Sequence, residues 1–90
     1  MKALERILEI YSDETFLKAD GFDEAIIGVD ETQMRLIYSV SKCIAILCRD
    51  MTEEDAFEYF SVNVEGSYMG HNTPIWCHDT FIPEPSPALS

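Results

Sequence analysis

The stretch that decides the fold is TEEDAFEYFSVNVEGSYMGHNTPIWCHDTF, residues 52–81. Thr52 is a residue type that caps helix N-termini, because its hydroxyl accepts a hydrogen bond from a free N–H of the first turn. Three acidic residues follow it and place negative charge at the positive end of the helix dipole. Apolar residues then recur at steps of three and four, which predicts an inward stripe of Phe57, Phe60, Val64 and Tyr68.

The same stretch predicts where this helix ends and which element comes next. Gly66 lies inside the helical pattern, where a glycine indicates a bend or the close approach of another backbone. Gly70 is placed to end the helix with a positive φ, and Thr73-Pro74 favours extended backbone after it. We therefore predict a strand over Ile75–Phe81 that returns across the core and covers the aromatic stripe.

The chain before Thr52 begins with a predicted helix and continues into a hairpin. Residues 2–13 have helical spacing, with an expected inward face of Leu4, Ile7, Leu8 and Tyr11. Phe16 and Leu17 are expected to fill space in the connection after this helix. Ala25–Val29 and Met34–Tyr38 are short and rich in β-branched residues around a polar turn, which predicts an antiparallel pair. Gly28 inside the first strand indicates a bulge or a crowded crossing.

A second helix is predicted directly after the hairpin. Ser39 is a suitable cap for it, and the helix is expected to run to about Arg49. Its expected inward residues are Val40, Cys43, Ile44 and Leu47. Because only Asp50-Met51 separates it from the helix capped by Thr52, the two helices should be neighbours.

These elements give the order α-β-β-α-α-β. We expect a single α+β domain over residues 1–81, with a three-stranded, antiparallel-type sheet and the helices packed on one face. The last strand is expected to pair with an edge of the hairpin. Residues 82–90 contain three prolines and little apolar material, so they are predicted to form a mobile tail.

Composition restricts the function more than any motif does. The chain has 90 residues, 47% of them hydrophobic, so a folded domain is favoured over disorder. Its net charge of -11 argues against direct binding to nucleic acid or to anionic membranes, since both need clustered Lys and Arg. The same charge permits a basic protein partner, but on charge alone an acidic surface that serves solubility is the simpler interpretation.

The cysteines indicate the compartment. Cys43, Cys48 and Cys77 are odd in number and irregular in spacing, so they do not form a disulfide framework. No signal peptide pattern and no apolar run of membrane-spanning length is present, and we expect a cytoplasmic protein with reduced thiols.

Histidine and cysteine chemistry is concentrated near the end of the deciding stretch. His71, Cys77, His78 and Asp79 lie close in sequence, but a zinc site needs about four converging ligands. Neighbouring residues of a strand point to opposite faces, which separates Cys77 from His78. The sequence therefore assigns no catalytic, metal or cofactor residue. A small metal-binding or hydrolytic domain that uses His71, Cys77, His78 and nearby carboxylates is the alternative function.

A candidate partner surface lies along the start of the helix capped by Thr52. Acidic residues are dense there, and an aromatic residue off the apolar stripe follows them; the set is Asp50, Glu53, Glu54, Asp55, Glu58 and Tyr59. Such a surface can present phosphate-like charge to a nucleic-acid-binding protein. The alternative is a solvated helix start whose acids only complement the helix dipole.

The sequence also resembles a family of small proteins of unknown function that tailed bacteriophages and prophages encode. The shared residues are Gly21–Val29, Tyr38, Lys42-Cys43-Ile44, Ala56, Glu58-Tyr59-Phe60, Asn63-Val64, Gly66, Gly70 and Thr73-Pro74. The resemblance implies a viral protein that acts inside a bacterial host, and it implies no activity. This chain departs from the family in the short connection over residues 30–33 and in lacking a glycine near Asp50-Met51.

Together these features predict a small, acidic, non-enzymatic protein of phage type. We expect it to bind and modulate a host or viral protein, with the acidic surface as the candidate contact. No cofactor is expected. A homo-oligomer is a further alternative, because so short a chain is rich in apolar residues.

Overall fold

The computed structural model describes residues 3–67 and 73–80, whose elements follow the predicted order α-β-β-α-α-β. The helices are α1 (Ala3–Ile10), α2 (Val40–Leu47) and α3 (Glu53–Tyr59). The strands are β1 (Ile26–Asp30), β2 (Arg35–Ser39) and β3 (Ile75–Cys77). A 3₁₀ turn at Asp23–Ala25 precedes β1, and α3 continues into a π-helical segment, Phe60–Val64, and a 3₁₀ turn, Glu65–Ser67. The predicted α+β fold is confirmed.

The sheet has the strand order β1-β2-β3 and is mixed. β1 and β2 are antiparallel, and their register shifts between Ile26 and Gly28, which confirms the predicted bulge. β3 pairs with the hairpin edge as expected, but it lies parallel to β2, with Ile37 opposite Ile75. The expectation of an antiparallel-type sheet is therefore wrong for the last strand. Parallel neighbours need a long crossover, and the chain from residue 40 to residue 74 provides one.

The core lies on one face of the sheet. Leu36 and Tyr38 of β2 are fully buried there. The Trp76 ring of β3 packs between Tyr38 and Phe60, with ring centroids 5.1 Å and 5.3 Å away. β3 thus covers the buried aromatic residue of the π-helical segment, as the sequence predicted. The opposite face carries the aligned row Gly28, Ile37 and Ile75, which lies outside the core.

Several predicted core positions are exposed instead. Phe57 is 41% exposed, and Ala56 is the fully buried residue of α3. The buried line runs through Ala56, Phe60 and Val64 at steps of four, and it leaves Phe57 beside the line rather than on it. Leu8 and Leu17 are also exposed, at 46% and 43%. The predictions for Tyr68, Gly70 and Phe81, and for the tail at 82–90, lie outside the described residues.

Side-chain oxygens cap the N-termini of α2 and α3, as predicted for Ser39 and Thr52. Ser39 Oγ accepts a hydrogen bond from the Lys42 N–H at 3.2 Å, and Thr52 Oγ1 accepts one from the Asp55 N–H at 3.2 Å. The hairpin turn contains one conformation that the sequence did not predict: Met34 has φ 52°, in the left-handed region.

The loop between α1 and β1 is fixed to the sheet by one buried hydrogen bond. The Ala19 N–H donates to the Tyr38 hydroxyl at 2.8 Å, and both residues are fully buried. A buried N–H without an acceptor costs about 1–3 kcal/mol. Tyr38 therefore holds this loop as well as filling the core.

We predict that Tyr38→Phe lowers the free energy of unfolding by about 1–3 kcal/mol, because the substitution leaves the buried Ala19 N–H without its acceptor. Urea denaturation followed by circular dichroism measures the difference. Tyr59→Phe is the matched control, since Tyr59 is 44% exposed, and it should change stability by less than about 0.5 kcal/mol. Equal stability of the two variants would contradict the assignment.

Candidate functional site

The residues near the end of β3 that suggested metal or nucleophile chemistry separate in space. The His78 ring contacts Glu65, with Nε2 and Oε2 2.7 Å apart, whereas Asp79 reaches the start of α2. Cys77 lies half-buried on β3. Across residues 3–67 and 73–80, no three His, Cys, Asp or Glu side chains are grouped so that they could hold a metal ion. His71 lies outside the described residues.

Asp79 instead makes hydrogen bonds that connect two elements of the fold. Its carboxylate accepts hydrogen bonds from the Ser39 hydroxyl at 2.5 Å and from the Ser41 N–H at 2.9 Å. Partial burial by itself raises the pKa of the Asp79 carboxyl, but the hydrogen bonds from Ser39 and Ser41 outweigh it and the pKa lies below its usual value. The contact ties the end of β3 to the first turn of α2.

The thiol of Cys43, on α2, is not suited to nucleophilic chemistry. Cys43 is fully buried, and that burial, with a smaller contribution from the negative charge of Asp79, raises the pKa of its thiol to about 12. A thiol with so high a pKa stays protonated at neutral pH, and the thiolate is the reactive form. Cys43 is therefore core material.

One concave surface of the described chain lies beside α3. A concavity of about 390 Å³ opens between the loop before β1, the α2–α3 link and the π-helical segment. Its floor is apolar, with Phe22 and Val64 buried and Met51 half-buried. Tyr59 and Asn63 form one wall. Asp20 and Asp50 add carboxylates to the rim, so an apolar floor lies beside negative charge.

A second concavity, of about 310 Å³, adjoins the first. Asp55, Glu58, Tyr59, Val62 and Asn63 line it. Tyr59 and Asn63 belong to both linings, so these two residues form the ridge between the concavities. We call the two concavities with this ridge the α3 face.

The α3 face carries several negative charges. Its linings include the carboxylates of Asp20, Asp50, Asp55 and Glu58, and no described Lys, Arg or His lines either concavity. The ion pairs of lysine and arginine within the described part of the chain form elsewhere: Lys18–Asp23, Arg35–Asp30 and Arg49–Glu24. Within the described residues, Lys18, Arg35 and Arg49 therefore pair with acids in or near the hairpin, and none of these ion pairs involves a carboxylate of the α3 face.

The backbone that presents this face is unusual. In the π-helical segment the Glu65 N–H bonds to the Phe60 carbonyl, five residues earlier. Gly66 comes after that wide turn, and a Cβ placed on it would lie 3.3 Å from the Ser61 carbonyl oxygen. The close approach at Gly66 therefore comes from its own segment and not from another backbone, which was one of the two possibilities predicted there. Such wide turns occur mostly as short insertions in α-helices and often at functional sites.

Most of the predicted partner surface lies on the α3 face. Asp50 and Tyr59 line the first concavity, and Asp55, Glu58 and Tyr59 line the second. Glu53 and Glu54 are exposed but line neither. The sequence pattern did not assign Asp20, Val62 or Asn63 to a partner surface. Gly21 has φ 88°, and the turn at Asp20-Gly21 places Asp20 in the same lining as Tyr59 of α3. These two segments are far apart in sequence, so no short sequence pattern could predict that they meet.

Comparison with known proteins gave no match: no protein family model, curated protein or solved structure matches this chain. The resemblance to small phage-encoded proteins therefore stays a prediction. In the part of the chain that the structure describes, no helix has the length and apolar character needed to cross a membrane.

We predict that Asp79→Asn lowers the free energy of unfolding at pH 7 by about 0.5–1.5 kcal/mol, because it weakens the hydrogen bonds from Ser39 and Ser41. The folded-state pKa of Asp79 is depressed, so the stabilisation is present above the unfolded-state pKa of about 3.9 and is lost as the pH falls through the lower folded-state value. Urea denaturation from pH 7 to pH 3 should show the two proteins converging in acid.

The control for this experiment is Asp13→Asn, which removes the same charge from an exposed side chain. Its free energy of unfolding should differ little from that of the wild type at any pH, because no hydrogen bond from Ser39 or Ser41 is lost. A stability difference for Asp79→Asn that stays constant into acid would contradict the role given to the Asp79 carboxylate.

Proposed function

We propose that this protein is a non-enzymatic binding protein that recognises a basic surface of another protein through the α3 face. The observation that carries the proposal is the pair of adjoining concavities around Tyr59 and Asn63, rimmed by carboxylates that no described cation neutralises. Aromatic residues and a charge that complements the partner are features of surfaces that bind other proteins.

The net charge of the chain supports the same proposal. At -11 the protein repels nucleic acid and anionic membranes, and its field attracts positively charged partners. Long-range attraction of this kind raises the association rate and weakens as salt is added. The partner is therefore expected to carry a basic patch, as nucleic-acid-binding proteins do.

The biological setting belongs to the proposal as well. The shared residues from Gly21 to Trp76 support a phage-type protein, and we place it in the cytoplasm of a bacterial host, where it modulates a host or viral protein. The free thiols Cys43, Cys48 and Cys77 are consistent with a reducing compartment. Self-association stays a separate prediction, which light scattering on the 10.3 kDa chain would test.

We predict that the double variant Asp55→Asn/Glu58→Gln loses its protein partner. The experiment is affinity capture from bacterial lysate followed by mass spectrometry, at low salt and at about 0.5 M salt, where the Debye length is roughly 4–5 Å. A partner retained by the wild type at low salt should be at least about fivefold depleted with the variant, and also with the wild type at high salt.

Asp13→Asn/Glu14→Gln is the matched control, because it removes two charges from exposed side chains that do not line the α3 face. Capture should be unaffected by it. If both double variants lose the partner equally, net charge rather than the α3 face accounts for binding. Capture that is insensitive to salt and to Asp55→Asn/Glu58→Gln would reject the proposed function.

A further inference from the structure

We infer that the α3 face receives an arginine side chain of its partner, laid across the Tyr59 ring with its guanidinium group among the carboxylates. The inference deepens the proposed function, on which it rests, by naming the side chain that is recognised. It depends on the apolar floor of the first concavity, the exposed ring of Tyr59 and the carboxylates on both sides of that ring.

The floor suits the aliphatic part of a long side chain. Phe22, Met51 and Val64 offer apolar surface in the first concavity, while Asp20 and Asp50 stand at its rim. Long cationic side chains pack their methylene groups against apolar surface and keep the charged end near water or a counter-ion. A purely apolar side chain would fill the floor but leave the rim carboxylates partly desolvated, which is unfavourable.

The Tyr59 ring favours a cation in the same place. It is 44% exposed and belongs to both linings, so a group placed on it lies between the carboxylates of the two concavities. A cation over an aromatic face is attracted by the ring quadrupole, and arginine is found in such contacts more often than lysine because its planar guanidinium also stacks.

The carboxylates complete the preference for arginine. Asp20 and Asp50 line the first concavity and Asp55 and Glu58 line the second, while Tyr59 lines both. A guanidinium group presents five N–H donors in a flat fork, so it can donate to carboxylates in more than one direction while it stacks on the ring. An ammonium group supplies the charge but not the flat donor arrangement.

The test is a titration of ¹⁵N-labelled protein with the capped peptide acetyl-Gly-Arg-Gly-Arg-Gly-amide, followed by two-dimensional NMR. The expected result is shift changes concentrated at residues lining the α3 face. The citrulline counterpart, which has the shape of arginine without its charge, should bind at least about fivefold more weakly. The affinity of the lysine counterpart should lie between those of the arginine and citrulline peptides.

Variants at Tyr59 separate stacking from bulk electrostatics. Tyr59→Leu should weaken binding of the arginine peptide about two- to fivefold. Tyr59→Phe retains the aromatic ring and should bind the peptide as the wild type does. Phe57→Leu is the matched control, because Phe57 is an equally exposed aromatic of α3, at 41%, that lines neither concavity. The spectrum of each free variant shows whether it is folded.

Three results would overturn the inference: equal affinity for the arginine and citrulline peptides, equal effects of Tyr59→Leu and Phe57→Leu, or shift changes spread over acidic residues far from α3. If protein capture still depends on Asp55 and Glu58 while the peptide shows any of these results, the proposed function stands and the arginine assignment fails. If capture is also insensitive to those two residues, both fail.

Discussion

The contact on which the rest of the structure depends is the packing of the Trp76 ring between Tyr38 and Phe60. These three aromatics come from β3, β2 and the π-helical segment, so one cluster joins the hairpin, the helical half and the returning strand. Removing such a side chain from a core costs about 3–5 kcal/mol, a large part of the stability of a domain this small. Tyr38 also accepts the Ala19 N–H, which brings the loop before β1 under the same constraint.

The aromatic cluster determines which side chains form the α3 face. Phe60 and Val64 of the π-helical segment are held inward. Val62 of the same segment, which is 66% exposed, and Tyr59 at the end of α3 therefore point outward. The contacts Ser39–Asp79 and Glu65–His78 hold the end of β3 against the helices from two sides. His78 and Asp79 are thus engaged in contacts that hold the fold.

Charge is distributed over this fold in two different ways. Acids near the hairpin and its preceding loop are paired with Lys18, Arg35 and Arg49. Those of the α3 face are exposed and lack such partners within the described residues. With so few basic residues against seventeen acids, some carboxylates must stay unpaired, and four acids lie beside an exposed tyrosine and an apolar floor: Asp20, Asp50, Asp55 and Glu58. That arrangement, rather than the net charge alone, is the basis of the proposed recognition surface.

The sequence by itself determined the features that local physics controls. Thr52 and Ser39 cap their helices within three residues of themselves, Gly28 marks the bulge, and hydrophobic spacing set the order of the elements. Only the tertiary structure decided that β3 is parallel to β2, that Ala56 rather than Phe57 is buried, and that Asp20 and Asp50 share a concavity with Tyr59. The reason is that these outcomes depend on how segments far apart in the chain pack together, and the energy of such packing appears in no single window of sequence.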